Sequence, residues 1–264
     1  MRVQQVESDA YVFVGEAYQS NSLILTSGDE ALLVDALGSE RDAEKLRDYV
    51  EQELEKQVRF IVCTHYFSDH LAALKLFPEG RIIAHANYRH TFDSELHRSE
   101  EERGHFVEPD ILISDELRLK WGRYTLDVFH NPGHTMSTLG IDIPEADLIA
   151  AGDTVVGNIV YLAYSSPELL LPALERLRRR GRTRLLTSHL GLRRADAIDH
   201  ALFYLRSLRD KVKAARDSAD QESLIREINL WSCLVPGAEA SEFEMIFHNR
   251  NLESIIERKL FATA

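Results

Sequence analysis

The segment Thr64-His65-Tyr66-Phe67-Ser68-Asp69-His70 decides how this chain folds and what it can bind. The apolar run of residues 60–63 before it is typical of a buried parallel strand, so the segment lies on the loop that leaves the carboxyl end of that strand. In open α/β sheets, binding sites form at that edge. The two imidazoles and the carboxylate supply nitrogen and oxygen ligands suited to zinc, manganese or iron. The segment therefore predicts a metal site, whose remaining ligands come from elsewhere in the chain.

Three later turns could supply those ligands, and each follows a predicted strand. His134 lies in a Pro-Gly-His-Thr turn after the alternating residues 124–130, Asp153 follows the apolar run 148–151, and His189 follows a run through Leu186. A single His or Asp at a strand end is usually a turn former or a cap. Four such strand ends in one chain favour a shared site.

The order and spacing of these residues resemble the metallo-β-lactamase superfamily, with a glyoxalase II-like motif pattern but no specific glutathione-binding signature. The superfamily pattern is His-x-His-x-Asp-His, then a His in a Pro-Gly-His-Thr turn, an Asp in a Gly-Asp turn, and a last His. The matching positions here are His65, Phe67, Asp69, His70, His134, Asp153 and His189. The resemblance covers roughly residues 10 to 215. Phe67 replaces the second His and is the single departure.

The resemblance implies an α/β fold, the αββα four-layer sandwich of the metallo-β-lactamase fold, with a helical C-terminal extension. We expect residues 1–215 to form the metallo-β-lactamase-like domain and residues 216–264 to form helices packed on it. Strands are predicted at 11–15, 22–26 and 31–36. An amphipathic helix is predicted at about 195–216 and another helix at about 241–260.

The resemblance also implies a role for each site residue. One metal site would use His65, the residue at position 67 and His134, and the other would use Asp69, His70 and His189, with Asp153 as the bridge. With Phe67 in place the second site keeps its full set, so one ion should be favoured there. A mono-zinc subclass of the superfamily also lacks a first-site His. We expect one or two zinc ions, with iron or manganese as alternatives.

The chemistry expected of this site is hydrolysis of a small ester, thioester, lactone or related bond by metal-activated water. A bound metal lowers the pKa of water from about 15.7 toward about 7 and polarises the oxygen of the scissile group. Without a metal in the first site, His65 or His134 could act as a general base on a water there. The candidate catalytic residues are therefore His65, Asp69 and His134.

Two other functions stay open at this stage. Phe67 could mark a member of the fold that binds or regulates without turnover. Iron-dependent redox proteins also occur in the superfamily and vary the ligand that is changed here. Mutation of His189 separates hydrolysis from ligand binding, and iron content separates the redox case.

Composition limits the partners. A net charge of −12 and a pI near 5.4 argue against nucleic-acid binding, and no apolar run approaches the roughly 18 residues that cross a bilayer. The two cysteines, Cys63 and Cys233, do not indicate a disulfide framework. We expect a cytoplasmic protein with a small-molecule substrate and no membrane partner, and a homodimer formed through the C-terminal helices is an open alternative.

Several further residues have two interpretations. Tyr161 and Tyr164 could line a substrate pocket or pack in the core, and Asp35 could support the metal loops or only end a strand. Ser39 with Asp42 resembles a capping box at the start of a helix. The histidines near residues 86–108 match no ligand pattern and are expected at the surface or in a lid: His85, His90, His97 and His105. The arginines of residues 178–184 are expected to form a solvated helix end, with a phosphate contact as the alternative.

Overall fold

The computed structural model describes residues 1–95, 97–216 and 218–261, so the last three residues of the predicted C-terminal extension, and position 217 within it, lie outside the described residues. Two β-sheets form the centre of the protein. In the first sheet the strands lie in chain order, antiparallel from β1 to β4 and parallel from β4 to β7. These strands are β1 (Arg2–Glu7), β2 (Ala10–Val14), β3 (Asn21–Ser27), β4 (Glu30–Val34), β5 (Gln57–Val62), β6 (Arg81–His85) and β7 (Ile111–Ile113).

The second sheet has the order β13-β12-β11-β10-β9-β8. Only β11 and β12 are parallel, and the other neighbours are antiparallel. Its strands are β8 (Glu116–Trp121), β9 (Tyr124–His130), β10 (Leu139–Ile143), β11 (Leu148–Ala150), β12 (Arg184–Leu186) and β13 (Leu192–Arg194).

Helices cover the outer face of each sheet. The helices are α1 (Glu40–Asp48), α2 (Tyr88–Ser94), α3 (Glu100–Gly104), α4 (Pro167–Arg179), α5 (Asp196–Ala215), α6 (Gln221–Arg226) and α7 (Glu242–Arg258). Residues of α1 and α2 pack on the first sheet, whereas α4, α5 and α7 pack on the second. The order of layers is therefore helix, sheet, sheet, helix, as predicted.

The run Ala31-Leu32-Leu33-Val34 of β4 shows how the sequence produces this layering. Successive side chains of a strand point to opposite faces. Leu32 and Val34 belong to the core between the two sheets, whereas Ala31 and Leu33 pack under α1. A strand covered on both faces needs apolar residues throughout instead of an alternating pattern.

The three strands predicted near the amino terminus are present as β2, β3 and β4, but β1 precedes them and was not predicted. Its residues are only partly buried or exposed, so the strand has no apolar pattern that would reveal it. The predicted C-terminal helices are present as α5 and α7.

The capping-box interpretation was correct for Ser39 and wrong for Asp42. Ser39 caps α1 by accepting a hydrogen bond from the Asp42 backbone N–H. The Asp42 carboxylate, however, accepts from the Glu16 and Ala17 backbone N–H groups, each at 2.8 Å, and not from that of Ser39. Asp42 therefore holds the loop of residues 15–20 against α1.

Buried polar contacts fasten α7 to the loop of residues 155–165. Glu244, only 1% exposed, accepts from the Asn158 backbone N–H at 2.7 Å. Asn251 accepts from the Leu162 backbone N–H at 2.7 Å and donates to the Val160 carbonyl. Because each of these groups is buried, its hydrogen bond is costly to lose, which fixes the position of the helix.

Candidate metal centre

Five loops meet at one edge of the two sheets. The loops after β5, β11 and β12 leave the carboxyl ends of strands that run parallel to a neighbour, and the β9–β10 loop reaches the same place. Hydrogen bonds join the two sheets here, since Leu139 N–H donates to the Thr64 carbonyl at 2.7 Å and Asn21 N–H donates to the Ser188 carbonyl at 2.8 Å. The fifth loop, residues 15–20, packs beside His189.

All six predicted metal-ligating residues lie together at this edge. They form two groups of three in which each residue offers one ligand atom and the atoms lie within 4.8 Å of one another. The first group is His65, His134 and Asp153, and the second is Asp69, His70 and His189. Only Asp69 has a partly exposed side chain, at 21%, so it marks the direction from which the site is reached.

Distances between the ligand atoms suit a shared cation. His70 Nε2 lies 3.4 Å from Asp69 Oδ1, and His189 Nε2 lies 3.5 Å from Asp69 Oδ2. Tetrahedral zinc with ligands at about 2.0–2.2 Å separates neighbouring ligand atoms by roughly 3.3–3.6 Å.

Asp153 lies between the two groups but closer to the second. Its Oδ2 lies 3.1 Å from His189 Nε2, 3.8 Å from His70 Nε2 and 3.9 Å from His134 Nε2. The second group therefore has a fourth ligand atom at short range, whereas the first group depends on sharing it.

Buried nitrogen and oxygen atoms at this site lack hydrogen-bond partners among the described residues. These atoms are His65 Nε2, both ring nitrogens of His70 and of His134, and Asp153 Oδ1. Native structures rarely leave buried polar atoms unpaired, and binding of a metal ion is one accepted reason for such atoms. The residues present therefore fit a metal ion.

The ring tautomers of His65 and His189 also suit metal binding. His189 Nδ1 lies 2.8 Å from the Tyr18 carbonyl, which can only accept, so Nδ1 carries the proton. The Thr64 hydroxyl donates to Asp35 and thus accepts from His65 Nδ1 at 3.1 Å. In the neutral form of each ring, Nε2 then carries the lone pair, and a partner on the other ring nitrogen is the usual arrangement for a histidine that binds a metal.

Charges within the site favour a cation. Burial disfavours the imidazolium form of His70, but the carboxylates of Asp69 and Asp153 outweigh burial and raise its pKa to about 10. Burial lowers the pKa of His134 to about 4 and that of His65 well below 6.5, so both rings stay neutral, which is the ligating form. The two carboxylates therefore stabilise a positive charge at His70, in the second group.

Asp35 supports two of the loops that carry site residues. Its carboxylate accepts from the Thr64 backbone N–H at 2.7 Å, the Thr64 hydroxyl at 2.8 Å and the Ser188 hydroxyl at 2.9 Å. It is 3% exposed and has a left-handed φ of 60°. Of the two interpretations of Asp35, the supporting one is correct.

Phe67 fills the side of the first group where the resemblance would place another ligand. Its ring is 5% exposed, with centroids 5.4 Å from His65 and 5.3 Å from His134. Tyr164, which is 36% exposed, packs on Phe67 at 4.8 Å. Tyr164 therefore lines the approach to the site, whereas Tyr161 packs against Phe247 of α7 at 4.7 Å.

The predicted surface positions of His85 and His105 were wrong. Both are buried, and His105 Nδ1 donates to the Ser68 carbonyl at 2.9 Å, beside the predicted ligands Asp69 and His70. Glu95, which sequence reasoning missed, accepts from the Ser68 N–H and hydroxyl. No pattern in the sequence joins these residues, because the contacts depend on how the segment of α2 and α3 folds over the loop. His90 and His97 are exposed, as expected.

Arg178 and Arg179, at the end of α4, are exposed, as predicted for a solvated helix end, but several arginines of residues 178–184 also form ion pairs. Arg178 pairs with Asp199, Arg182 with Asp142, and Arg184 with Glu7. They line a groove of about 690 Å³ that shares no residue with the predicted metal centre. The phosphate contact stays a prediction. Both Cys63 and Cys233 are free and buried, which agrees with the absence of a disulfide framework.

Comparison with known families and proteins identifies relatives of this chain. The family model described as "Metallo-beta-lactamase superfamily" matches residues 15–189. A metallo-beta-lactamase type 2 of Bacillus cereus is 26% identical over 148 residues, which are 56% of this chain and 55% of that protein. The probable metallo-hydrolase YqgX of Bacillus subtilis is 28% identical over 144 residues, or 52% of this chain and 66% of that protein. The chain thus spans less than two thirds of either relative.

Solved structures share the fold. A metallo-beta-lactamase from Pontibacter korlensis superimposes with a TM-score of 0.66 at 18% identity, covering 78% of this chain and 98% of that one. Within the described residues, every helix is too short or too polar to pass through a lipid bilayer.

Proposed function

Because the chain belongs to the metallo-β-lactamase superfamily, we propose that it is a metal-dependent hydrolase of a small ester, thioester or lactone. The observation that carries this proposal is the pair of three-residue groups, within each of which the ligand atoms lie no more than 4.8 Å apart. We propose one favoured ion at Asp69, His70 and His189, with Asp153 as a further ligand. Zinc suits this set of nitrogen and oxygen atoms, and iron and manganese are the alternatives.

The residues of the chain have separate roles in this proposal. A metal, when bound, would activate water for attack and polarise the oxygen of the scissile group. The unpaired His65 Nε2 and His134 Nε2 would accept hydrogen bonds from a water molecule between the two groups and orient it. Asp69, the most exposed of the six, is the first to meet an entering molecule. Phe67 closes the flank of the first group with an apolar ring and excludes solvent there.

Metal content per chain, measured by elemental mass spectrometry on protein purified without chelators, tests this assignment. We expect about one zinc in the wild type, little in His70→Ala and an unchanged content in His65→Ala. His90→Ala, which removes an exposed histidine, is the control. Equal loss from His65→Ala and His70→Ala would contradict a favoured second group, and iron would favour the redox alternative.

A screen of esters, thioesters and lactones then tests turnover. Hydrolysis that His70→Ala abolishes supports the proposal. One observation favours a second candidate, a binding protein without turnover, since Phe67 occupies a ligand position of the superfamily pattern. Metal-loaded protein that cleaves none of the three bond classes would favour that candidate.

A further inference from the structure

Five aromatic rings form a continuous series beside the predicted metal centre, and we call this series the aromatic wall. Its members, in spatial order, are Phe67, Tyr164, Tyr161, Phe247 and Phe243. Successive ring centroids lie 4.8, 6.3, 4.7 and 4.4 Å apart. The wall begins 5.3 Å from the ring of His134 and ends 5.3 Å from the ring of His189, so it connects the two ligand groups.

The wall is partly open to solvent and also contacts the first ligand group in its middle. The ring centroid of Tyr161 lies 6.3 Å from that of His134, with the planes at 28°. Tyr164 is 36% exposed, and Tyr161, Phe243 and Phe247 are half-buried. A molecule bound between the two ligand groups would therefore lie beside these ring surfaces.

The wall is held in place before any ligand arrives. Tyr161 and Tyr164 belong to the loop that Glu244 and Asn251 fasten to α7. Arg258 of the same helix donates to the Ala163 carbonyl at 2.7 Å and to the Ser165 carbonyl at 2.8 Å. Rings fixed in this way lose little further conformational entropy when they bind a partner.

We propose that the aromatic wall selects substrates whose acyl group carries a planar aromatic ring, and that Phe243, Phe247 and Tyr164 are specificity-determining residues. This inference rests on the proposed function, since it names the substrate class of the same site. Aromatic rings in edge-to-face or offset contact gain about 0.5–1.5 kcal/mol beyond their buried area, which is roughly a 2- to 12-fold preference over an aliphatic ring of similar size. Phe243 and Phe247 lie beyond residue 189, where the match to the family ends.

Two matched pairs of probes test this proposal. Methyl phenylacetate and methyl cyclohexylacetate differ in the planarity of one ring, and their kcat/KM ratio measures the preference in turnover. Benzyl ethyl ketone and cyclohexylmethyl ethyl ketone replace the ester oxygen by a methylene and cannot be hydrolysed. Their dissociation constants, measured by NMR titration of metal-loaded and of chelator-treated protein, give the preference in binding without turnover.

We expect the phenyl member of each pair to be preferred about 2- to 12-fold, and the ratio to approach one in Phe243→Leu and Phe247→Leu. Tyr164→Leu, at a more exposed position, is the variant to use if either phenylalanine variant fails to fold. Met245→Leu, on the exposed part of α7, is the matched control and should keep the wild-type ratio.

The outcomes separate this inference from the proposed function. If the phenyl ketone binds more tightly than the cyclohexyl ketone and the leucine variants remove this preference, the proposed role of the aromatic wall is supported even if neither ester is cleaved. If the wild type cleaves both esters with a kcat/KM ratio near one, the aromatic wall is not a specificity surface, although the proposed hydrolase function is still supported. A preference that Phe243→Leu, Phe247→Leu and Tyr164→Leu all leave unchanged also overturns it.

Discussion

The ring of Phe67 meets the imidazole of His134 almost perpendicularly, with the ring centroids 5.3 Å apart and the planes at 87°. A benzyl group thus borders the first ligand group and offers it no lone pair. The first group keeps two histidines and a share of Asp153, whereas the second has two histidines, Asp69 and the nearer contact to Asp153. This difference gives the first prediction.

Replacement of Phe67 by His should raise the zinc content from about one toward two ions per chain, because an added imidazole completes the first group. Phe67→Leu is the control, since it also changes the ring but adds no ligand, and it should stay near one. Elemental mass spectrometry of the dialysed proteins gives the counts. A histidine variant that stays at one ion would show that position 67 does not face the first group.

Replacement of Asp35 by Ala should weaken both folding and metal binding. Three hydrogen bonds to the carboxylate are lost, each worth about 1.5–3 kcal/mol, so we expect the free energy of unfolding to fall by about 4.5 kcal/mol or more. Loss of such an outer contact typically reduces metal affinity by about 10- to 100-fold. Urea unfolding and zinc titration against a chromophoric chelator measure the two effects. Asp35→Asn keeps an acceptor and tolerates the left-handed φ, so it should lose less of both.

Asp42 should act on the metal centre from a distance. It holds the Glu16 and Ala17 N–H groups, and the same loop presents the Tyr18 carbonyl to His189 Nδ1. We expect Asp42→Ala to weaken zinc binding about 3- to 10-fold and to destabilise the fold by about 1–3 kcal/mol, because the partly buried N–H groups of Glu16 and Ala17 lose their acceptor. Asp48→Ala, at an exposed position of α1, is the control. A loss of stability without any change in zinc affinity would limit Asp42 to a structural role.

Asn251→Ala should loosen α7 while leaving the metal ligands intact. The side chain makes hydrogen bonds to the Leu162 N–H, the Val160 carbonyl and the Tyr204 hydroxyl, all of them buried. We expect the free energy of unfolding to fall by about 2–4 kcal/mol and amide exchange at Leu162 to accelerate. Zinc content should stay at the wild-type value. Asn249→Ala, exposed on the same helix, should have neither effect.

His248 should make stability depend on pH. Its Nε2–H donates to the Ile228 carbonyl and its Nδ1 accepts from the Tyr204 hydroxyl, so the folded protein holds it neutral. Burial lowers the pKa of His248 below the ordinary value of 6.5, and the Ile228 carbonyl opposes this only in part. Between the folded and the unfolded pKa the unfolded chain binds more protons, so stability decreases as the pH falls below about 6.5.

The measurement for His248 is urea unfolding of chelator-treated protein between about pH 7.5 and pH 5.5. The wild type should lose stability toward the acid end, and His248→Gln, which cannot be protonated in this range, should lose less. His90→Gln removes an exposed histidine and should follow the wild type. Parallel curves for the wild type and His248→Gln would assign the acid sensitivity to other residues.

The sequence alone allowed the fold and the superfamily to be predicted, because both depend on local patterns. Apolar runs such as residues 60–63 mark strands buried on both faces, and each run ends in a turn that carries a His or an Asp. Parallel strands end at a common edge, so the sequence alone allowed four separate turns to be placed at one site. The six site residues do lie together there, although their roles as metal ligands stay a prediction.

Contacts between distant segments could not be predicted. Asp42 has the spacing of a capping residue, yet its carboxylate bonds to a loop more than twenty residues earlier in the chain. His105 has no apolar neighbours in a regular pattern, and its burial depends on the fold of α2 and α3 over the ligand loop. The polarity of β1 concealed a strand whose stability comes from backbone pairing with β2.

The order of residues along the chain has a consequence for recombination. Every predicted ligand lies between His65 and His189, whereas Phe243 and Phe247 of the aromatic wall come later, in α7. Recombination with a homologue at a point between His189 and Phe243 would combine the predicted ligands of one protein with the α7 helix of the other. Glu244 and Asn251 make buried hydrogen bonds with the loop of residues 155–165. A chimera can therefore fold correctly only if the transplanted helix supplies the same acceptors and donors to this loop.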